Sequence, residues 1–568
     1  ISACLVGSEM CIRDRDMEKL QRILEYGKTY GVREMMNKSA EFLTGRRIAY
    51  EKWFQMHRAS SRELELQRKE HWEDAPLVSI IVPAYCTPAL FFRQMTDSVI
   101  AQSYENWELC IADGSGKDKT ELEALVENAY AGEKRIRYRL LEENLGISGN
   151  SNAALAMASG DIIALLDHDD VLAPEALYEI VKAYKENPGA EIVYTDEDKV
   201  DMELVTHYQP HFKPDFNLDY LRTNNYICHL FTVRKETAET AGGFRKEYDG
   251  AQDYDFILRC TEVAAEIVHI PKILYYWRMH PGSVAGNPES KAYAYEAGRR
   301  AVESHLNRLS IEAQVEHAGH WGLYRTRYAL TGTPLVSIII APVTSETKAE
   351  ACRKKIQSRT SYTNYEIVTL GEAARGEYLV FFSEDITVLN DGWLEEMLSN
   401  CQRPEVGAVG GKLFFPDQRV YSAGILLGVK GLGAHAFSGL PKEELGYCAR
   451  AVMQQDVSAV SSEFMMVKKE VYDIVNQNQE YLFTDRGLAN LDFCLKVKQA
   501  GYLIVYLPMA EACTERSPSK QKEKAVVETS CNPKEVDKFC EIWKSELKRG
   551  DPCYNPNLTK KRCDFSLG

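Results

Sequence analysis

Three clusters of carboxylates sit where crowded charge is costly. LLDHDD at 165–170 places Asp167, Asp169 and Asp170 directly after an apolar run. Carboxylates this close repel one another unless a cation lies among them, and oxygen donors suit a hard ion such as Mg2+ or Mn2+, which also binds phosphates. A solvated, helix-capping acidic loop is the alternative. Asp113 closes a second apolar run, WELCIAD (107–113), and precedes the polar turn GSGKD, where a helix cap reads equally well. In GAQDYDFILRC (250–260), Asp253 and Asp255 open an amphipathic stretch, and N-capping accounts for either as it stands. YYWRMHPGS (275–283) adds Arg278 and His280, with a purely structural role open for the histidine.

These residues need elements to hold them. LVSIIVPA (77–84), WELCIAD and DIIALLD (161–167) are short strands that are apolar almost throughout, which predicts a sheet covered on both faces and hence parallel α/β. PEALYEIVKAYKEN (174–187) reads as a helix with Leu177, Ile180, Val181 and Tyr184 on one apolar face. In such sheets ligands bind beyond the carboxyl ends of the strands, where the acidic clusters fall. ENLGISGNSNAALAMASG (143–160) carries Asn144, Gly146, Gly149 and Asn152 ahead of an Ala-rich helix, small residues that let backbone approach a phosphate.

The 568 residues predict several domains, and 45% hydrophobic with 27% charged residues is a globular composition. A net charge of −15 argues against a nucleic-acid partner. No apolar run is long enough to span a bilayer, which leaves peripheral association. The 15 cysteines lack zinc-ligand spacing and read as free thiols, mostly buried, in a reducing compartment. Residues 1–15, ISACLVGSEMCIRDR, resemble a translated adapter read-through and are set apart from the fold; 16–75 read as a helical, charged segment.

The chain also repeats itself. PLVSIIVPAY (76–85) returns as PLVSIIIAPV (334–343), and NWELCIAD returns as NYEIVTLG, both 258 positions on. GDIIALLDHDDVL (160–172) matches GEYLVFFSEDITV (376–388) only 216 positions on, so the second copy lacks 42 residues. The expected organisation is a catalytic unit at 76–315, a linker at 316–333, a truncated copy at 334–530 and a tail at 531–568.

The ordered series VSIIVPAY, IADGS, NLGISGNSNAA, LLDHDD, QDYDFILR and WRMHPGS resembles family-2 glycosyltransferases of the GT-A fold. The ending GDPCYNPNLT (550–559) is similar to that of double-domain members building bacterial surface polysaccharides. The resemblance implies a GT-A (Rossmann-like) domain followed by a truncated GT-A-like one. It also implies metal-dependent inverting transfer from a nucleoside-diphosphate sugar to a saccharide or lipid-linked glycan, in the cytoplasm at the inner membrane face. Pro83, Tyr85 and Asp113 would hold the base and ribose, with Asn144 and Asn152 near the donor. Asp167 would face the sugar, Asp169 and His280 would bind Mn2+ or Mg2+, Arg278 would meet the diphosphate, and Asp253 would be the base. Cys86 and Gln252 depart from the usual Asn and Glu.

In the second copy Asp113 corresponds to Gly371, Asp167 to Ser383 and Asp253 to Asn490, while Asp169 persists as Asp385. Asparagine cannot accept a proton at neutral pH, so the copy is expected to be inactive. Two alternatives stand beside this reading, a non-catalytic carbohydrate- or nucleotide-binding scaffold and a transferase with both copies active. A nucleotidyltransferase would usually need a basic glycine-rich loop at its first strand, which VPAYCTPAL lacks.

Overall fold

The computed structural model describes residues 45–116, 121–280, 292–477, 482–516, 525–527 and 531–568. The adapter-like stretch at 1–15 lies outside them. The first unit is built on nine strands: β1 (Val78–Ala84), β2 (Trp107–Asp113), β3 (Ile136–Leu140), β4 (Ile162–Leu165), β5 (Val171–Leu172), β6 (Ile192–Val200), β7 (His207–His211), β8 (Phe231–Arg234) and β9 (Ile267–Arg278). Their order is β3-β2-β1-β4-β8-β6-β9-β5, with β7 on β6. Alternate residues of β1 and β2 feed two cores. Ile80, Val82, Leu109 and Ile111 pack with Phe92, Met95 and Val99, whereas Ile81, Cys110 and Ala112 pack with Ala154 and Phe256. That two-sided burial is why these strands are apolar throughout.

The half of the sheet that carries Asp113 and Asp167 is parallel, as expected. The other half is mixed, because β8 runs antiparallel to both β4 and β6. A strand buried on both faces is apolar in either direction, so composition does not encode its sense. The helix expected at 174–187 spans Ala176–Glu186 and buries Leu177, Ile180, Val181 and Tyr184. At the N-terminal side, Ser60 and Glu63 form a reciprocal cap on the helix Ser61–Lys69. Tyr50, on the preceding helix, donates to the buried Asp198 at 2.7 Å, which docks this segment on the sheet.

The second unit orders its strands as Tyr365–Thr369, Val336–Ile340, Tyr378–Phe382, Phe464–Lys468, Val406–Phe414, Leu503–Thr514 and Ile386–Val388. This repeats β2-β1-β4-β8-β6-β9-β5, with no counterpart of β3 among the described residues. The 42 absent residues therefore correspond to β3 with its flanking helices Glu121–Ala129 and Gly146–Leu155. The stretch read as a linker contains a strand, Tyr324–Tyr328, paired antiparallel with Ala313–His317. No disulfide joins the described cysteines, most of which are buried or half-buried.

The two units share one latch at the start of the fold. Ser79 Oγ donates to Glu108 Oε1 at 2.6 Å and accepts the Gly160 amide at 2.8 Å. Ser337 Oγ donates to Glu366 Oε1 at 2.7 Å and accepts the Gly376 amide at 2.7 Å. Both glycines are required by space: a Cβ on Gly160 would lie 2.4 Å from the Leu77 carbonyl, and one on Gly376 would lie 2.5 Å from the Ser337 nitrogen. Tyr104 and Tyr362 each bond the carbonyl of the opening proline, Pro76 and Pro334, at 2.6 Å.

The units meet over residues 211–229. Arg403 of the second unit holds both oxygens of the fully buried Asp219, at 2.7 and 2.8 Å. Asn217 exchanges hydrogen bonds with the backbone of Asp456, and Tyr447 bridges Pro210 and Phe212. The tail crosses back, with Asn555 donating to Asp196 and to the Lys213 carbonyl at 2.8 Å each. Residues between Phe212 and Thr223 therefore form part of an interface with the second copy and the tail.

Two outcomes follow for stability. Burial would raise the Glu108 carboxyl, but bonds from Ser79, Ser159 and Arg137 outweigh it and hold it at about 2, below its ordinary 4.5. Its contribution is therefore complete above pH 4.5 and is lost as the pH falls toward 2. Glu108→Gln is expected to lose about 1–3 kcal/mol at neutral pH, a gap that closes on acidification in denaturant titrations; a gap independent of pH would refute the latch. Arg403→Ala leaves Asp219 buried without its partner and is expected to cost about 3–5 kcal/mol in full-chain unfolding, with Arg403→Lys restoring only part because it lacks the bidentate fork.

Candidate functional site

The site gathers at the carboxyl ends of β1, β2, β4 and β9. Register pairs Ala84 with Asp113 and Asp113 with Leu140, which brings the ends of three strands level. Asp113 is fully buried, its Oδ1 accepting Ser115 Oγ at 2.5 Å and its Oδ2 accepting Tyr138 Oη at 2.7 Å. Pro83 is the penultimate residue of β1, and Tyr85, just past the strand, stands 50% exposed. Cys86 lies at φ +48°, a conformation asparagine tolerates better, and its amide donates to Ser115 Oγ at 2.7 Å.

The acidic loop turns from β4 into β5, and β5 pairs with β9, setting Val171 against Tyr276. This pairing fixes the loop. Asp170 is buried, accepting Tyr275 Oη at 2.6 Å and the Arg278 amide at 2.7 Å. Asp169 Oδ2 lies 2.8 Å from His280 Nε2. Burial first, then the charges of Asp169 and Asp253, push the Asp167 carboxyl up to about 7, although half of its side-chain surface is open. Burial, with Asp169 and Asp167 beside it, pushes Asp170 well up.

Arg278 does not reach into the open recess. It is fully buried over the Phe91 ring, its Nε donating to the Asp169 carbonyl at 2.6 Å and its Nη1 to Gln94 Oε1 at 2.5 Å. It braces the acidic loop from behind. His280 lies beside the same Phe91 ring.

Asp253 sits in the first turn of the helix Gln252–Val263, whose cap is Ala251 with no side-chain bond. It accepts Asn225 Nδ2 at 2.9 Å, so neither of the two aspartates caps the helix. Asp255 is buried between Arg245 and Arg259 and is structural. The charge of Asp253 contributes to the raised Asp167 carboxyl, so the two side chains lie within electrostatic reach of each other. Asn144 accepts the Gly146 amide at 3.0 Å in the turn before the helix Gly146–Leu155. Asn152, expected near the donor, spends both amide atoms on the Phe244 backbone, at 2.7 and 2.8 Å. With Ser148 bonded to Asp249, it locks that helix to the loop preceding Asp253.

His229 was not anticipated. Its Nε2 lies 3.3 Å from Asp167 Oδ2, and one donor atom each from Asp167, Asp170 and His229 fall within 4.8 Å of one another. Burial holds its imidazole below the ordinary value. Nothing in ICHLF marks it, because β8 and β4 are far apart in sequence. Asn225 was missed for the same reason. Carboxylate oxygens with imidazole nitrogens, crowded enough to raise Asp167, are a donor set that fits a hard divalent cation.

In the second unit Asn490 occupies the place of Asp253 and donates to the Val460 carbonyl at 2.9 Å. Ser383 is buried, and Glu384 takes the Thr344 amide and hydroxyl. Asp385 lies 3.8 Å from Lys348.

The sequence profile of glycosyl transferase family 2 matches residues 79–242. An uncharacterized protein, y4gI, of Sinorhizobium fredii is 38% identical over 539 residues, covering 87% of this chain and 59% of that protein. O-antigen biosynthesis protein RfbC of Myxococcus xanthus is 29% identical over the same length, covering 87% of this chain and 41% of its own. Chondroitin synthase of Escherichia coli is 32% identical over 220 residues, 38% of this chain and 31% of that enzyme. The chain thus spans about half the length of the first two relatives. S. aureus TarS is a structural neighbour at 20% identity and a TM-score of 0.33, over 40% of each chain. The matched profile coincides with the strands β1 to β8 and the acidic loop after β4: residues 79–242 of this chain carry a glycosyl transferase family 2 domain.

Proposed function

We propose that the first unit transfers a sugar, with inversion, from a nucleoside-diphosphate donor to a saccharide or lipid-linked glycan in surface-polysaccharide synthesis. The observation that carries this is Asp253, which is held by Asn225 within electrostatic reach of Asp167 rather than capping its helix. The acceptor oxygen bonds to the anomeric carbon as that carbon's bond to the diphosphate breaks. Asp253 takes the hydroxyl proton, a contribution on the order of 10²–10⁴ in rate. Pro83, Tyr85 and Asp113 hold the base and ribose, Tyr85 offering the exposed ring face. Asn144 shapes the turn beside the donor, and Asp167 meets the sugar. Asp169 and His280 would hold Mn2+ or Mg2+, which supplies positive charge for the departing nucleoside diphosphate. Arg278 and Asn152 act as braces, consistent with their committed hydrogen bonds. Relatives named for O-antigen biosynthesis and chondroitin synthesis support the polysaccharide reading.

The second unit is read as a buttress without transfer activity. Support comes from Asn490, from the absence of a β3 counterpart and from the buried Arg403–Asp219 pair. No helix among the described residues is long and apolar enough to cross a membrane. A cytoplasmic enzyme working at the inner face of the membrane is the setting this reading takes.

Incubated with a panel of nucleotide sugars and Mn2+, the full chain is expected to hydrolyse one donor slowly, with EDTA abolishing turnover; binding without turnover would favour a scaffold. Asp253→Asn should abolish transfer, and any second sugar still transferred by that variant would show the second unit to be active. His280→Ala should weaken Mn2+ binding measured calorimetrically without donor, and unchanged binding would remove His280 from the metal site.

A further inference from the structure

Among the described residues, the aromatic side chains that stand exposed are Tyr85, Tyr293 at 60% and Trp321 at 55%. Tyr85 lies at the end of β1, where the donor is placed. The other two come from separate elements, Tyr293 from the helix Ala292–Arg308 and Trp321 from the turn between the strands Ala313–His317 and Tyr324–Tyr328. Both lie against backbone next to Asp253 and Asn225, Tyr293 at Gly250 and the Trp321 turn at Asn224.

Trp321 stacks on Tyr295 at 5.0 Å and 25°. Tyr295 is in turn held by Tyr324, whose hydroxyl donates to the Tyr295 carbonyl at 3.0 Å. Tyr324 stacks on Tyr254, the residue after Asp253. From the other side, Asn224 donates to the Gly322 carbonyl at 3.2 Å, fixing the Trp321 turn to the neighbour of Asn225. Tyr293 covers Gly250, three residues before Asp253. This glycine has φ +94°, and a Cβ there would lie 2.7 Å from the Tyr293 ring. The exposed rings are thus fixed to the backbone that flanks Asp253 and Asn225.

We propose that Trp321, backed by Tyr295, and Tyr293 form the acceptor platform, on which a pyranose ring of the growing glycan stacks while its terminal hydroxyl reaches Asp253. This rests on the transferase reading above. The chemistry of the patch selects a saccharide. A sugar ring has an apolar face that fits a flat indole and an edge of hydroxyls that needs polar partners, and the helix and hairpin that carry the rings also carry Glu296, Arg299 and His317, joined through Glu296. Rigid aromatic rings also lose little conformational freedom on binding, which suits them to a site that must hold and release a polymer.

The test uses the full chain on an array of bacterial O-antigen and capsular oligosaccharides. The wild type is expected to bind at least one glycan. Trp321→Ala is expected to weaken that binding by about tenfold or more, the scale of a lost aromatic anchor, and Trp321→Phe to restore much of it, with thermal unfolding unchanged in both. No glycan binding by the wild type, or equal binding by Trp321→Ala, overturns the platform. Trp321-dependent sedimentation with vesicles of phosphatidylglycerol and phosphatidylethanolamine, without glycan binding, also overturns it, in favour of a membrane contact. Donor hydrolysis by the wild type reports on the transferase reading separately. Glycan binding through Trp321 without hydrolysis would keep the platform and remove the transferase, and hydrolysis without such binding would do the reverse.

Discussion

The constraint behind the whole first unit is the crowding of Asp167, Asp169 and Asp170 at the end of a buried strand. Like charges so close raise one another's proton affinity, and burial adds to the effect. The architecture answers with bracing around the loop. Strand β5 pairs with β9, which brings Tyr275 and the Arg278 amide onto Asp170. The Arg278 guanidinium, stacked over Phe91, grips the Asp169 carbonyl. With Asp170 satisfied from behind, Asp169 is left beside His280, and Asp167 remains half open to the recess. The crowded loop is thereby held by hydrogen bonds from β9 rather than left to its own repulsion.

The duplication separates what the fold needs from what the chemistry needs. At the amino ends of the strands both copies keep the same serine–glutamate–glycine latch and the same tyrosine bond to the opening proline. At the carboxyl ends the copies diverge, Asp253 against Asn490 and Asp167 against Ser383. A sheet with both faces buried tolerates little change where its strands begin, because a missing partner there leaves a buried amide or carboxylate unpaired. At the carboxyl ends the side chain of Asp167 is half open to solvent, so its replacement carries less of that penalty.

The two copies are not independent bodies joined by a tether. Arg403 reaches a carboxylate sealed inside the first unit, and the tail returns through Asn555 to Asp196. The loop beyond Asp219 leads to Asn224 and Asn225, which hold the Trp321 turn and Asp253. The interface therefore also sets the backbone from which the candidate base is oriented, a physical reason for a second copy to persist without its own carboxylate.

Much of this was legible in the residues. The apolar strands, the repeat with its 42-residue gap, the acidic loop and the loss of Asp253 in the second copy are all local patterns, and burial and spacing write them directly into the chain. What tertiary structure decided was which polar groups are spent on the fold. Arg278 and Asn152 looked available for a donor, yet one is buried under the acidic loop and the other clamps the Phe244 backbone. His229 and Asn225 looked like parts of a featureless stretch, yet they approach Asp167 and Asp253. Periodicity reports which face of an element is buried. It cannot report which distant element supplies a hydrogen-bond partner, because that depends on strand order, and the antiparallel insertion of β8 between β4 and β6 leaves no mark in the composition of any of the three.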